Sequence, residues 1–250
     1  MPLRDDHSYV IAEFGSNHMG SREHALRAIE TAKDAGTDAC KFQLFRLPDI
    51  LIDPSQCDPR TCLPPDWIPQ LHDTCREFRI DFLCTPFSAW AVEILNPYVG
   101  MWKIGSFEWK RQDIWDACTA TGKPIIASGG RVAHYPDNWP HAADYRLYCV
   151  SKYPTRPEDI YLPDEESSLA GFSDHTTSTI IPALAVARGA RIIEKHFRLE
   201  DTPTDSPDYP HSLTPGQLAE MVRNIRLAEL TCWRQPPADT ALEVFSNRRE

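Results

Sequence analysis

The stretch Gly171–His196, GFSDHTTSTIIPALAVARGARIIEKH, decides the fold. It reads as two short apolar strands, one at Phe172 and one over Ile192–Glu194, each running straight into ionisable residues. A helical stretch from Ile180 to Arg188 separates them. Strand, helix, strand places His175 and His196 at one end of a parallel sheet, the end at which α/β proteins bind ligands. Two imidazoles and two carboxylates, Asp174 and Glu194, meeting there could hold a metal ion.

Working outward, the same alternation runs through most of the chain. Strands are expected over Tyr9–Phe14, Asp38–Phe42, Phe82–Cys84, Met101–Ile104, Pro124–Ala127 and Arg146–Val150, with the two above as seventh and eighth. Ser21 is placed to cap a helix that carries Ala25, Ala28, Ile29 and Ala32 at helical spacing and stops at Gly36. Further helices are expected at Trp67–Phe78, Ala89–Leu95, Ile114–Thr121 and Pro215–Cys232. The stretch Val132–Ala143 is poor in helical signal and predicts a short or irregular connector. Eight strands with about eight helical connections predict a single-domain (β/α)8 barrel over residues 1–234, followed by a tail at 235–250. A doubly wound sheet seldom needs eight short strands in this length.

The strand ends carry the functional signal. Read to their C-terminal ends, the strands finish at Glu13, at Lys41 with Gln43, at Thr85, Lys103, Ser128, Ser151 and His175, and at Glu194 with His196. Period-two alternation puts Lys41 and Gln43 on one face, and likewise Glu194 and His196. Any one of these alone reads more readily as a solvated strand end; the full set reverses that and predicts convergence on a catalytic mouth.

Composition narrows the partners. A formal net charge of −10 argues against nucleic acid or an anionic membrane surface as the main partner. No run of about eighteen apolar residues predicts a membrane span. Met1–Ser8 is polar and acidic, unlike a signal peptide, which predicts a cytoplasmic chain. The eight cysteines form no C-x-x-C pair, and Cys40, Cys84 and Cys149 fall inside strands as small buried hydrophobes; they are read as reduced thiols outside the site.

The ordered series of motifs resembles the sialic acid synthase family of phosphoenolpyruvate-condensing barrels. It comprises IAEFGSNHMG (11–20), KFQ (41–43), TPF (85–87), KIGSFE (103–108), GKPIIASGG (122–130), YPT (153–155), SDHT (173–176), EKHF (194–197), SPD (206–208) and SL (212–213). Together they run from about residue 9 to 230. The resemblance implies condensation of phosphoenolpyruvate with an N-acetylated aldose, such as N-acetylmannosamine, to a nine-carbon 2-keto acid and phosphate. It implies a divalent cation, manganese foremost with magnesium or cobalt as alternatives, on His175 and His196. It implies acid/base work for Glu13, with Lys41 and Glu194 also in the catalytic set and Glu194 open to an orienting or ligand role. Lys41, Lys103, Thr85, Ser106 and Ser128 would hold the phosphate and carboxylate, with Glu108, Ser151 and Ser173 supporting them. Gln43, Tyr153 and Asp208 would face the sugar, and a homodimer is expected.

Departures from the family pattern shape the expectation. The chain stops at Glu250 without the family's small C-terminal antifreeze-like domain, and Ala241–Glu250 reads as a linker remnant. Arg131–Ala143 trims the fifth helix. Phe107 stands where a small residue is usual, and Ser151 where an Asn is often found. Alternatives are a related enzyme taking a legionaminic- or pseudaminic-type acceptor, an anion-binding barrel without turnover, and a metallohydrolase. The last would carry an early H-x-H pair, which the sequence lacks.

Overall fold

The computed structural model describes residues 7–50, 57–130, 143–162 and 169–233. Eight strands run through them: β1 (Tyr9–Glu13), β2 (Ala39–Leu44), β3 (Asp81–Pro86), β4 (Trp102–Ile104), β5 (Ile125–Gly129), β6 (Tyr145–Cys149), β7 (Gly171–Asp174) and β8 (Ile192–His196). The helices between and after them are α1 (Arg22–Asp34), α2 (Ile68–Phe78), α3 (Ala89–Leu95), α4 (Gln112–Thr119), α5 (Ile181–Ala187) and α6 (Pro215–Cys232). All strand pairings are parallel, in the order β3-β2-β1-β8-β7-β6-β5-β4. The two ends of that order, β3 and β4, lie side by side, so the sheet curls into a nearly closed barrel. This is the expected (β/α)8 fold.

Local chemistry accounts for the elements. β1 is buried along its whole length, as a parallel strand covered on both faces must be. Ser21 accepts the His24 amide at 3.2 Å and caps α1, whose buried face is Ala25, Ala28, Ile29 and Ala32. Gly36, at φ 84°, then takes the left-handed turn that few other residues tolerate. Thr214 and Gln217 form a reciprocal capping box on α6, with Pro215 in its first turn.

Alternation splits the apolar residues into two layers. Val10, Ala12, Phe42, Ala127 and Ile193 pack outward against the helices. Tyr9, Ile11, Ala39, Leu83, Met101, Ile126, Leu147 and Ile192 fill the lower barrel interior. Two residues further along six of these inward series the side chains turn polar: Ile11 leads to Glu13, Ala39 to Lys41, Leu83 to Thr85, Met101 to Lys103, Ile126 to Ser128 and Ile192 to Glu194.

Three expectations change. The connections are less helical than expected: six α-helices occur among the described residues, and those linking β6 to β7 contain only a 3-10 turn, Pro157–Asp159. Prolines at 154 and 157 deprive that segment of backbone donors. The second helix begins at Ile68 rather than Trp67, because Pro65–Trp67 forms a separate 3-10 turn. β6 ends at Cys149, short of Ser151. The β5–β6 connector, except Ala143, and the expected tail at 235–250 lie outside the described residues. Among the described residues, no helix is long and apolar enough to cross a membrane.

Candidate active site

The polar layer at the C-terminal mouth is a charge network centred on Glu194. Its carboxylate accepts the Ser173 hydroxyl at 2.6 Å and pairs with Lys103 Nζ at 3.2 Å and Lys41 Nζ at 3.3 Å. The Ser128 hydroxyl reaches the same carboxylate at 3.5 Å. Lys41 Nζ also faces Glu13 Oε2 at 2.5 Å and donates to Thr85 Oγ1 at 2.9 Å. Gln43 Nε2 donates to the other Glu13 oxygen at 2.8 Å. Glu13, Lys41, Thr85, Lys103, Ser128, Ser173 and Glu194 are all buried. Register explains the meeting, since Glu13 stands between Lys41 on β2 and His196 on β8, and Ser173 faces Glu194.

The two lysines differ in what they can offer an incoming anion. An ammonium has three donors, and Lys41 already has three protein oxygens around it. Lys103 has the Ile104 carbonyl at 3.1 Å and Glu194, which leaves a hydrogen free. Burial lowers the Lys103 pKa, partly countered by Glu194. For Lys41, burial is outweighed by Glu13 and Glu194, and its pKa rises. Burial also works against the Glu194 charge, yet Lys103, Lys41 and Ser173 hold its pKa well below the usual carboxylate range. Glu13 goes the other way: burial raises it to about 7 despite Lys41, where a group can both take and give a proton.

A second cluster lies along the rim of the same mouth. His175 Nδ1 donates to the Val150 carbonyl at 2.9 Å, which leaves the Nε2 lone pair beside Ser173 Oγ at 3.5 Å. Its ring lies 5.8 Å from that of His196. Burial lowers the His175 pKa to about 4 and that of His196 well below its ordinary value, so both rings are neutral, the form that ligates metals. The Tyr153 ring covers His175 at 4.2 Å and stacks on Phe107 at 5.8 Å. Phe107 and Tyr153 are partly exposed. Ser106 Oγ lies 3.4 Å from the Tyr153 hydroxyl.

Several sequence expectations are refined here. Asp174 does not join the histidines: it is fully buried on the opposite face of β7, ion-paired with Lys195 at 2.5 Å and bonded to Thr176. Ser151 donates to the Gly130 carbonyl at 2.6 Å, so its hydroxyl is engaged by backbone. Cys149 is buried as expected, but it lies on the site side, close to Lys103 and Glu194; burial raises its pKa to about 11 and keeps it a thiol. Asp208 accepts the Ser16 amide and hydroxyl, both at 2.7 Å, through Oδ2. His211 was not expected, yet its ring lies 4.5 Å from that of His196. It sits in the irregular loop after β8, where no periodicity signals direction. Asn17 bonds the Phe197 carbonyl, Ser212 and Ser206, and so ties the β1 loop to that segment. A cavity of about 280 Å³ between the N-terminal ends of β3 and β4, lined by His72, Asp81, Tyr98 and Met101, contains none of these residues.

Glu108 permits a test of the site's electrostatics. It is buried beside Gly105, where an added Cβ would meet its Oε2 at 2.4 Å. Burial raises its pKa from the ordinary 4.5 to about 7. Between those two values the folded chain holds a proton that the unfolded chain has lost. This group's contribution to stability therefore declines as pH rises across the window and is flat above it. Glu108→Gln should gain in melting temperature relative to the parent between about pH 5 and about pH 8. A gap that does not change with pH would show that the carboxyl is ionised throughout.

The chain is similar to known proteins over most of its length. The sequence profile of the NeuB family matches residues 28–234. Pseudaminic acid synthase of Campylobacter jejuni is 31% identical over 258 residues, covering 90% of this chain and 75% of that protein. N-acetylneuraminate-9-phosphate synthase of Homo sapiens is 31% identical over 253 residues, covering 88% of this chain and 70% of that protein. The crystal structure of N-acetylneuraminic acid synthetase from Leptospira borgpetersenii, in complex with citrate, superposes with a TM-score of 0.84 at 27% identity. That alignment covers 98% of this chain and 94% of that one.

Proposed function

This chain belongs to the NeuB family, and from that premise we propose that it condenses phosphoenolpyruvate with an N-acetylated aldose, releasing phosphate and a nine-carbon 2-keto acid. The observation that carries the reading is the buried Glu13–Lys41–Glu194–Lys103 network at the barrel mouth. A ligand with about three negative charges needs concentrated cations and donors in a site of low dielectric. Lys103 offers its free N–H, with Ser106, Ser128 and Thr85 nearby, while Lys41 bridges Glu13 and Glu194. Ser173 fixes the Glu194 carboxylate.

In the proposed reaction C3 of the enol attacks the aldehyde carbon, water adds at C2, and phosphate leaves with C–O cleavage. Glu13 holds a proton near neutral pH beside Gln43 and Lys41, ready to pass it to an oxygen that becomes negative as bonds change. Glu194 stays ionised and stabilises positive charge on the two lysines. His175 and His196 would hold a divalent cation, manganese foremost, through neutral imidazoles. Their fit is supported by the Val150 bond that orients His175 and by the unpartnered, buried Nδ1 of His196. Such an ion supplies Lewis-acid polarisation of the aldehyde oxygen.

Phe107 and Tyr153 form the wall on the sugar side and restrict the shape of the acceptor. The likeness to pseudaminic acid synthase and N-acetylneuraminate-9-phosphate synthase supports as acceptor an N-acetylated aldose that leads to a sialic-, pseudaminic- or legionaminic-type acid. A homodimer and a cytoplasmic location belong to the same proposal. Incubation with phosphoenolpyruvate, Mn²⁺ and a panel of such aldoses should release phosphate with one or more of them, with the product identified by mass. No phosphate release with any aldose would overturn the condensing reading.

A further inference from the structure

We propose that His211 and Asp208 join His196 as direct ligands of a divalent transition-metal ion, adding an imidazole and an anionic oxygen to the histidine pair read from the sequence. The inference deepens the metal part of the proposed function and rests on that reading only for the use made of the ion. One potential ligand atom from each of His196, Asp208 and His211 lies within 4.8 Å of the other two. Asp208 stands between the rings, with Oδ1 3.5 Å from His211 Nε2 and Oδ2 3.9 Å from His196 Nδ1.

Two of these atoms lack partners. His196 Nδ1 and His211 Nε2 are both buried with no hydrogen bond, a state that native interiors avoid. Two such atoms on adjacent edge-to-face rings beside one carboxylate are what an ion between them would satisfy. The carboxylate is held in advance: Oδ2 takes both Ser16 donors, and its own backbone carbonyl accepts the Ser212 hydroxyl at 2.6 Å. Gly15, at φ 52°, lies under it so closely that a Cβ there would come within 2.3 Å of Oδ2. The β1 loop is thus shaped around the Asp208 carboxylate, and Oδ1 is left facing His211.

The donor chemistry selects the ion. Two imidazoles and one carboxylate suit Mn²⁺, Co²⁺ or Zn²⁺, whereas Mg²⁺ prefers oxygen donors and bound water. His175 lies on the same rim, its ring 6.4 Å from that of His211.

The test is metal binding by the full chain, independent of turnover. After chelator treatment and dialysis, Mn²⁺ is titrated into the parent, His211→Ala and Asp208→Asn, with free Mn²⁺ read by electron paramagnetic resonance and folding by circular dichroism. Asp208→Asn preserves shape and can still accept from Ser16, so it serves if His211→Ala does not fold. The parent should bind one Mn²⁺ per chain, and each folded variant should bind about tenfold or more weakly. Parental affinity in Asp208→Asn, or in folded His211→Ala, would overturn the assignment even if the parent releases phosphate. Weakened variants would uphold it even if no aldose supports phosphate release.

Discussion

Replacing Glu194 by Gln should lower phosphate release by about 10²-fold or more and reduce stability by about 3 kcal/mol. Gln conserves volume and still accepts the Ser173 hydroxyl, so packing is unchanged. What is lost is the negative charge shared by Lys41 and Lys103. Lys41 keeps Glu13, but Lys103 is left buried with only the Ile104 carbonyl. Breaking one side of a buried pair costs more than the pair contributes, because the remaining charge is uncompensated. Inorganic phosphate supplies a replacement anion and should raise the melting temperature of the variant more than that of the parent. Equal responses to phosphate, with turnover intact, would remove Glu194 from the centre of the site.

His175→Ala should abolish metal-dependent turnover while the fold survives. The ring supplies an oriented lone pair because Nδ1 is committed to the Val150 carbonyl. Removing it should weaken Mn²⁺ binding by about 100-fold, at the upper end of what even indirect ligand partners cost. The structural loss is small, since Val150 also accepts from the Lys152 amide at 2.9 Å and the Thr155 hydroxyl at 3.3 Å. About 1 kcal/mol is expected for the lost hydrogen bond. Retained metal-dependent turnover in a folded variant would rule out His175 as a ligand.

Legibility in the sequence followed the backbone period. Inside strands, alternation assigns a face to each residue, so spacing alone places Glu13, Lys41, Thr85, Lys103, Ser128 and Glu194 at the mouth. Asp174 is the exception: its neighbour His175 drew it toward the site, although the same alternation, extended from Ser173, turns it to Lys195. Cys149 shows the converse error. A cysteine in an apolar strand reads as core, but its register beside Ser173 brings it to the polar layer.

Loops carry no such period. Ser16 is separated from Asp208 and His211 by most of the chain, and only barrel closure between β1 and β8 brings it to Asp208. The charge state of the site likewise depends on distance and burial. One Lys–Glu pairing raises Lys41, another leaves Lys103 lowered, and Glu13 and Glu194 move apart although both are strand-end glutamates. The sequence by itself determined the barrel, the polar strand ends and the histidines at 175 and 196, because these follow from hydrophobic period and ordered motifs. The tertiary structure alone decided which carboxylate faces which cation and which imidazoles meet, because desolvation and Coulomb terms depend on separations of a few ångströms between side chains from different strands and loops.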